Sequence, residues 1–266
     1  MFTVKLQACP AGTTLPIAVS SPAGAPAHIV VSGKKGQPCP PAALPALPVG
    51  TGLYDESGTE YLRVTGHVWL PSRTGCHALF CPLATARTDL PVGEMEITAM
   101  KNGLSLAWVT LSDKGFNGLR EDQSGPAIAD LVKGTLTLAC ADGFLLPDEP
   151  GMLRALLTRL ALEEGYDLIV TTGGTGVGPR DTTPQTTARV LDYELPGFSQ
   201  AMMQASLEKT PKAVISRAIC GVMGQSLVIN LPGSRRAVIE NLEAVLPALA
   251  HTLDKLHGDP GDCGAA

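Results

Sequence analysis

The stretch Thr171–Asp181, TTGGTGVGPRD, sets Gly173, Gly174, Thr175 and Gly176 between an apolar run and a Thr-Pro pair. Glycines in such a turn let backbone N–H groups approach an anion that side chains would otherwise hold away. Asn230, Leu231, Pro232, Gly233 and Ser234 form a second junction of this kind. There the dipole of the following helix also favours phosphate. Two phosphate-accepting loops point to a nucleotide or a phosphorylated ligand. The first loop has no Lys-Ser/Thr pair of the Walker type, and Pro179 stands where G-x-G-x-x-G would need its last glycine. NAD binding and ordinary P-loop hydrolysis are therefore poor readings. Two further segments carry acids: Leu111-Ser112-Asp113-Lys114-Gly115 and Leu146-Pro147-Asp148-Glu149. Read alone, Asp148 ahead of Pro150 is a carboxylate at a helix N-terminus, and Asp181 caps a helix near Thr183.

These residues need a frame that brings them together, and the pattern of the chain supplies one. Leu104–Leu111, Leu136–Cys140, Asp167–Thr172 and Gln225–Leu231 are apolar runs of strand length. Helices are expected at Ser124–Val132, after Pro150 over Met152–Glu164, from Thr183-Pro184, and within Pro196–Glu208. A last helix spans Ser234–Leu256, where Pro247 should introduce a kink. Strands alternating with helices predict a three-layer α/β/α domain with a mostly parallel sheet over residues 101–258. Ligands of such sheets bind beyond the carboxyl ends of the strands, which is where all four segments above fall. Residues 1–100 hold over half of the 22 prolines and only short apolar pieces, among them Pro26–Ser32, Glu60–Leu70 and Met95–Met100. They predict a small β-rich module. Pro38–Pro48 reads as an extended surface segment, and residues 259–266 as a disordered tail.

The 266 residues carry a formal net charge of -5, so neither nucleic acid nor an anionic lipid surface is favoured. Local donors and a metal ion must hold an anionic substrate. Aromatics make up 4% of the chain, too few for a base-stacking platform. The start MFTVKLQACPAG lacks the basic and apolar regions of a signal peptide, and no stretch has the length of a membrane span. Seven irregularly spaced cysteines argue against a disulfide framework. A soluble cytoplasmic protein is expected.

Seven segments in order carry a resemblance over roughly residues 103–257: LSDKG (Leu111–Gly115), EDQSGP (Glu121–Pro126), LPDE (Leu146–Glu149), TTGGTGVGPRDTTP (Thr171–Pro184), LPGFSQAMMQASL (Leu195–Leu207), ISRAICG (Ile215–Gly221) and INLPGS (Ile229–Ser234). Together they resemble the Mog/MoaB family of molybdenum-cofactor biosynthesis. The resemblance implies a three-layer α/β fold, a homotrimer, and ATP-dependent adenylylation of molybdopterin with release of pyrophosphate. A molybdenum-insertion enzyme would then take the product. The family's two essential aspartates fall on Asp148 and Asp181, and its nucleotide loop on Gly173–Gly176. Ser112, Asp122, Ser216 and Asn230 match positions lining the substrate groove. Mg²⁺ is expected, with Asp181 as the leading ligand and Asp148 as a second ligand or as a group orienting the attack. Arg217, Arg180 and Lys114 are expected to bind phosphates, Arg217 foremost.

Other readings stand beside this one. A non-catalytic molybdopterin carrier or a scaffold would keep the fold without the chemistry. Ser112 and Ser234 are also ordinary turn and cap residues. Cys76, His77 and Cys81, with His67 nearby, have a spacing at the loose edge for zinc, and no second pair follows, which favours idle cysteines. LPVGTGLYDESGTEYLRVTG (Leu47–Gly66) is similar to the barrel segment of MOSC domains.

Overall fold

The computed structural model describes residues 2–18, 29–32, 47–70 and 79–260. Cys76, His77, most of the Pro38–Pro48 segment, part of Pro26–Ser32 and most of the 259–266 tail lie outside the described residues. The chain divides into two compact units, Met1–Asn102 and Gly103–Ala266.

The first unit comprises β1 (Phe2–Leu6), β2 (Thr14–Ala18), β3 (Ile29–Ser32), β4 (Gly52–Tyr54), β5 (Glu60–Leu70), β6 (Leu79–Ala86) and β7 (Gly93–Met100). They close into a barrel in the order β1-β3-β2-β6-β5-β4-β7. Alternation drives closure: Leu62 and Val64 of β5 are buried, and with Val4, Ile17, Leu53, Ala84 and Ile97 they fill the interior. Leu47–Gly66 covers β4, the turn at Asp55–Thr59, and the first part of β5.

The second unit opens with β8 (Leu104–Leu111), α1 (Asp113–Phe116), α2 (Ser124–Lys133), β9 (Leu138–Leu146), α3 (Pro150–Thr158) and β10 (Leu168–Thr172). It continues with α4 (Thr183–Ala188), β11 (Tyr193–Glu194), α5 (Pro196–Lys209), β12 (Cys220–Met223), β13 (Ser226–Leu231) and α6 (Arg235–Leu256). The sheet order is β11-β12-β13-β10-β8-β9. β8, β9, β10 and β13 run parallel, β12 is antiparallel to β13, and β11 is antiparallel to β12. Every residue of β10 and β13 is buried, as a strand covered on both faces requires. Leu106, Leu168, Val170, Leu227 and Ile229 pack with α2, α5 and α6 in one core. Ala107, Val109, Ile169 and Val228, of opposite parity, are equally buried. The mostly parallel three-layer sheet and the β-rich N-terminal module agree with the sequence.

Several boundaries differ. The second strand begins at Leu138 and continues past Cys140 to Leu146, because its parallel pairing with β8 runs from Leu104↔Leu138 to Leu111↔Leu146. Gly143 allows this: a Cβ there would lie 2.3 Å from Trp108 Cζ2. The helix expected over Met152–Glu164 stops as α-helix at Thr158 and finishes as a wider π turn over Arg159–Glu163. α6 runs through Pro247 without a break. β11 and β12 have no counterpart in the sequence reading. β12 joins β13 through the two-residue turn Gly224-Gln225, with Gly224 at φ +59°, a tight hairpin signal that was legible in the sequence.

The register fixes the site. Thr172 pairs with both Thr110 and Leu231, and Leu111 pairs with Leu146. Four parallel strands therefore end on nearly one level, and the next residues of each, Ser112-Asp113, Pro147-Asp148, Gly173-Gly174 and Pro232-Gly233, share one rim.

Candidate functional site

The rim is built on the glycine loop. Gly173 has φ +102°, and a Cβ there would lie 2.3 Å from the Leu111 carbonyl oxygen. Gly174 has φ +63°, and its Cβ would lie 2.4 Å from Thr183 Oγ1 and 3.5 Å from Asp148 Oδ1. Both positions need glycine for conformation and for space. Gly233 packs against Gly173, and Thr172 Oγ1 donates to the Pro232 carbonyl at 2.7 Å, so the two predicted loops join at their bases. Ser124 Oγ adds a bond to the Gly233 carbonyl at 3.0 Å.

Asp181 returns to the loop that precedes it. Its Oδ2 accepts from Gly178 N at 2.8 Å and would lie 2.8 Å from a Cβ on Gly176. It does not cap α4, whose N-cap is Thr182 with no side-chain cap bond. Asp148 likewise caps nothing, because the N-cap of α3 is Glu149. Instead Asp148 and Asp113 exchange bonds: Asp113 N donates to Asp148 Oδ2 at 3.1 Å, and Asp148 N donates to Asp113 Oδ1 at 3.0 Å. Burial lifts the Asp148 carboxyl above the ordinary carboxylate value, and the Asp113 and Asp181 charges push it the same way. The Asp113 bond and the Arg180 charge work against this rise. Both predicted acids thus turn into the glycine loop, and neither is spent on a helix end.

Sequence reasoning passed over Asp113, though it sits in the quoted LSDKG segment beside Ser112. Its position at the end of β8, level with Asp148, was the available signal. Arg180 donates to it through Nη2 at 2.8 Å and Nε at 3.1 Å, and to Glu149 through Nη1 at 2.7 Å. The Arg180 bonds hold the Asp113 carboxyl below its ordinary value.

The remaining predicted residues divide into two groups. Thr175 is buried in the loop, and Ser216 lies half-buried beside it. Arg217 anchors the loop from outside: its backbone N donates to the Thr175 carbonyl, Nε to the Gly176 carbonyl at 2.8 Å, Nη2 to the Asp181 carbonyl, and Nη1 to Gln185 Oε1 at 2.9 Å. Nε and Nη2 bond the loop and Nη1 bonds Gln185 on α4, so Arg217 clamps the glycine loop to that helix. Replacing Arg217 with Ala should cost about 1–2 kcal/mol of stability through those lost bonds, measured by urea unfolding. Ser112 and Ser234 accept from Gly115 N and Ala237 N and cap α1 and α6. Asp122 accepts from Thr110 Oγ1 at 2.6 Å and from Ser124 N and Gly125 N at 3.0 Å, and it lines an open pocket with Glu121, Gln123, Ala127 and Arg235. Asn230 is fully buried and donates to Thr171 Oγ1 and Thr187 Oγ1, which sets it under the loop rather than in an open groove.

The raised Asp148 carboxyl has a consequence for stability. The unfolded chain ionises this group at the ordinary value of 3.8, the folded chain at a higher pH. The folded state therefore loses stability as pH rises through that window and stays lower above it. Asp148→Asn removes the cost and keeps an acceptor for Asp113 N. The variant should melt above the wild type at neutral pH, and the gain should fade as pH falls towards 3.8 in circular-dichroism melts.

Two hard carboxylate donors beside a loop of backbone amides fit Mg²⁺ bound together with phosphate oxygens. Asp148 Oδ1 and Asp181 Oδ1 accept no hydrogen bond among the described residues. No group of three or more His, Cys, Asp or Glu forms a self-sufficient metal site among those residues. Of the residues considered for zinc, Cys81 is buried.

A family profile described as "Probable molybdopterin binding domain" matches residues 107–251. The molybdopterin adenylyltransferase of Helicobacter pylori is 38% identical over 152 residues, spanning 57% of this chain and 86% of that protein. The protein of the same name from Escherichia coli is 36% identical over 158 residues, spanning 59% and 80%. Gephyrin of Dictyostelium discoideum is 37% identical over 161 residues, but the chain spans only 22% of its length. The solved structure of MoaB from Thermus thermophilus is 44% identical, with a TM-score of 0.54, and covers 60% of this chain and 99% of that one.

Proposed function

Since the chain belongs to the family described as probable molybdopterin binding domain, we propose that it adenylylates molybdopterin with ATP. A phosphate oxygen of molybdopterin attacks the α-phosphorus of ATP. The bond from that phosphorus to the bridging oxygen breaks, and pyrophosphate leaves with the electron pair. The nucleophile is already ionised near neutral pH and needs no strong base. The barrier lies in bringing two anions together, so alignment and charge neutralisation carry the catalysis.

One observation carries this reading: Asp148 and Asp181, from separate strand ends, converge on a glycine loop whose backbone amides can receive phosphate. Gly174, Thr175 and Gly176 seat the nucleotide phosphates, and Gly173, whose amide donates to the Leu231 carbonyl at 3.1 Å, turns the chain into the loop. The Gly233-Ser234 junction at the start of α6 offers a second anion position on the same rim. Asp148 and Asp181 would hold Mg²⁺, which neutralises phosphate charge when bound. Asp113 fixes the rotamer of Asp148 through the exchanged bonds, and Arg217 keeps the loop open.

The test is to incubate the full chain with molybdopterin, ATP and Mg²⁺ and to look for adenylylated molybdopterin and pyrophosphate. Formation of both establishes the reaction. Tight pterin binding without product overturns it in favour of a carrier.

The setting is also proposed. Cys9, Cys81 and Cys220 form no disulfide among the described residues, which supports a reducing cytoplasm, and no helix among those residues is long and apolar enough to cross a membrane. The homotrimer is proposed from the family resemblance, and exposed Leu207 on α5, with Val214 and Ile215 just beyond it, offers apolar surface for self-association. Release of an activated product supports hand-over to a molybdenum-inserting enzyme. Every residue invoked lies in the second unit, so the barrel is proposed as an accessory module.

A further inference from the structure

Arg180 stands beside Asp181, yet its guanidinium turns to carboxylates. It bridges Asp113, at the end of β8, and Glu149, at the start of α3. The three side chains are 52%, 41% and 49% exposed. Ion pairs this open to water contribute little and exchange readily. A polyphosphate seated on the adjoining loop offers the same guanidinium a more highly charged partner. The two arrangements compete, because three of the five guanidinium N–H donors, one on each nitrogen, already go to the two acids, and presenting the planar fork to phosphate costs these bonds.

We infer that Arg180 is a phosphate-binding residue with two positions, held off the nucleotide by Glu149 and Asp113 in the free protein and transferred to the β,γ-phosphates of ATP or to pyrophosphate when these bind. Glu149 is then a positioning residue that lowers nucleotide affinity by competing for Arg180. The inference rests on the nucleotide reading above. It gives the opposite sign to a purely structural role. If the bridge only braced the loop, breaking it would weaken binding. If the bridge competes with phosphate, breaking it strengthens binding.

Glu149 is the position to test, because its carboxylate bonds to Arg180 and takes no part in the Asp113–Asp148 exchange. Calorimetric titration of the full chain with ATP and Mg²⁺, and separately with inorganic pyrophosphate, gives dissociation constants for wild type, Glu149→Gln, Arg180→Gln and the double variant. Glu149→Gln should tighten both ligands about two- to fivefold, the range of an exposed ion pair. Arg180→Gln should weaken them, and Arg180→Lys should restore part of the loss. In the Arg180→Gln background the Glu149 substitution should have no effect, because its action passes through Arg180. Equal tightening in both backgrounds would mean that Glu149 acts only as a nearby negative charge, and would overturn the inference while leaving the nucleotide reading intact. Unchanged or weaker binding by Glu149→Gln would overturn it as well. Failure of the wild type to bind either ligand would overturn the nucleotide reading itself, and the inference with it.

Discussion

Asp181→Asn is expected to fold and to lose adenylylation, with turnover falling about a hundredfold or more, the cost of removing a charge aligned with a developing anion. The substitution keeps the volume and one carbonyl oxygen, so the bond from Gly178 N survives and the loop retains its shape. What disappears is the negative charge that a hard cation requires. Asp148→Asn should show the same loss for the same reason, while melting higher than the wild type at neutral pH. That combination is diagnostic: a residue kept for structure does not stabilise the protein when it is removed. Steady-state release of pyrophosphate checks both variants. Most of the wild-type turnover remaining in both would remove the carboxylates from the mechanism.

The second large effect concerns the fold. Gly173→Ala should destabilise the α/β unit by about 3 kcal/mol, the cost of forcing an alanine into a left-handed conformation against a fixed backbone. Its φ is +102°, and the new methyl would meet the Leu111 carbonyl oxygen, which cannot swing aside as a side chain could. Gly151→Ala, in α3 with open space around it, is the matched control and should be neutral or slightly stabilising. Urea unfolding followed at the helical circular-dichroism band reports this unit alone, because all helices among the described residues lie within it. Equal midpoints for the two variants would show that Gly173 is not conformationally required.

Much of this architecture was legible. β8, β10 and β13 are buried on both faces, so their apolar runs are continuous and their carboxyl ends could be read directly from LSLAWVTL, DLIVTT and QSLVINL. The glycine loop was legible because its residue types are unusual for a plain turn. Other features depend on contacts distant in sequence. The length of β9 is set by pairing with β8 and by the Trp108 ring lying over Gly143. Asn230 reads from the sequence as a groove-lining residue and Arg217 as a phosphate ligand, and in the structure both bond to the strand end or loop around Gly173–Gly176. Whether a side chain there faces ligand or supports the backbone depends on rotamers that a linear motif does not encode. Asp113 was passed over because an aspartate after a strand is common, and only its bonds to Asp148 and Arg180 set it apart.

The shared level of the four strand ends also makes the site a matter of counting. One residue inserted anywhere in Leu168–Thr172 would carry the glycine loop forward by about 3.3 Å relative to its neighbours. It would also exchange the side chains that face the two helical layers. Such a change would dismantle the rim without altering any residue on it. Added length is therefore tolerable in connections away from the rim but not in the strands, which act as the ruler by which the chemistry is placed.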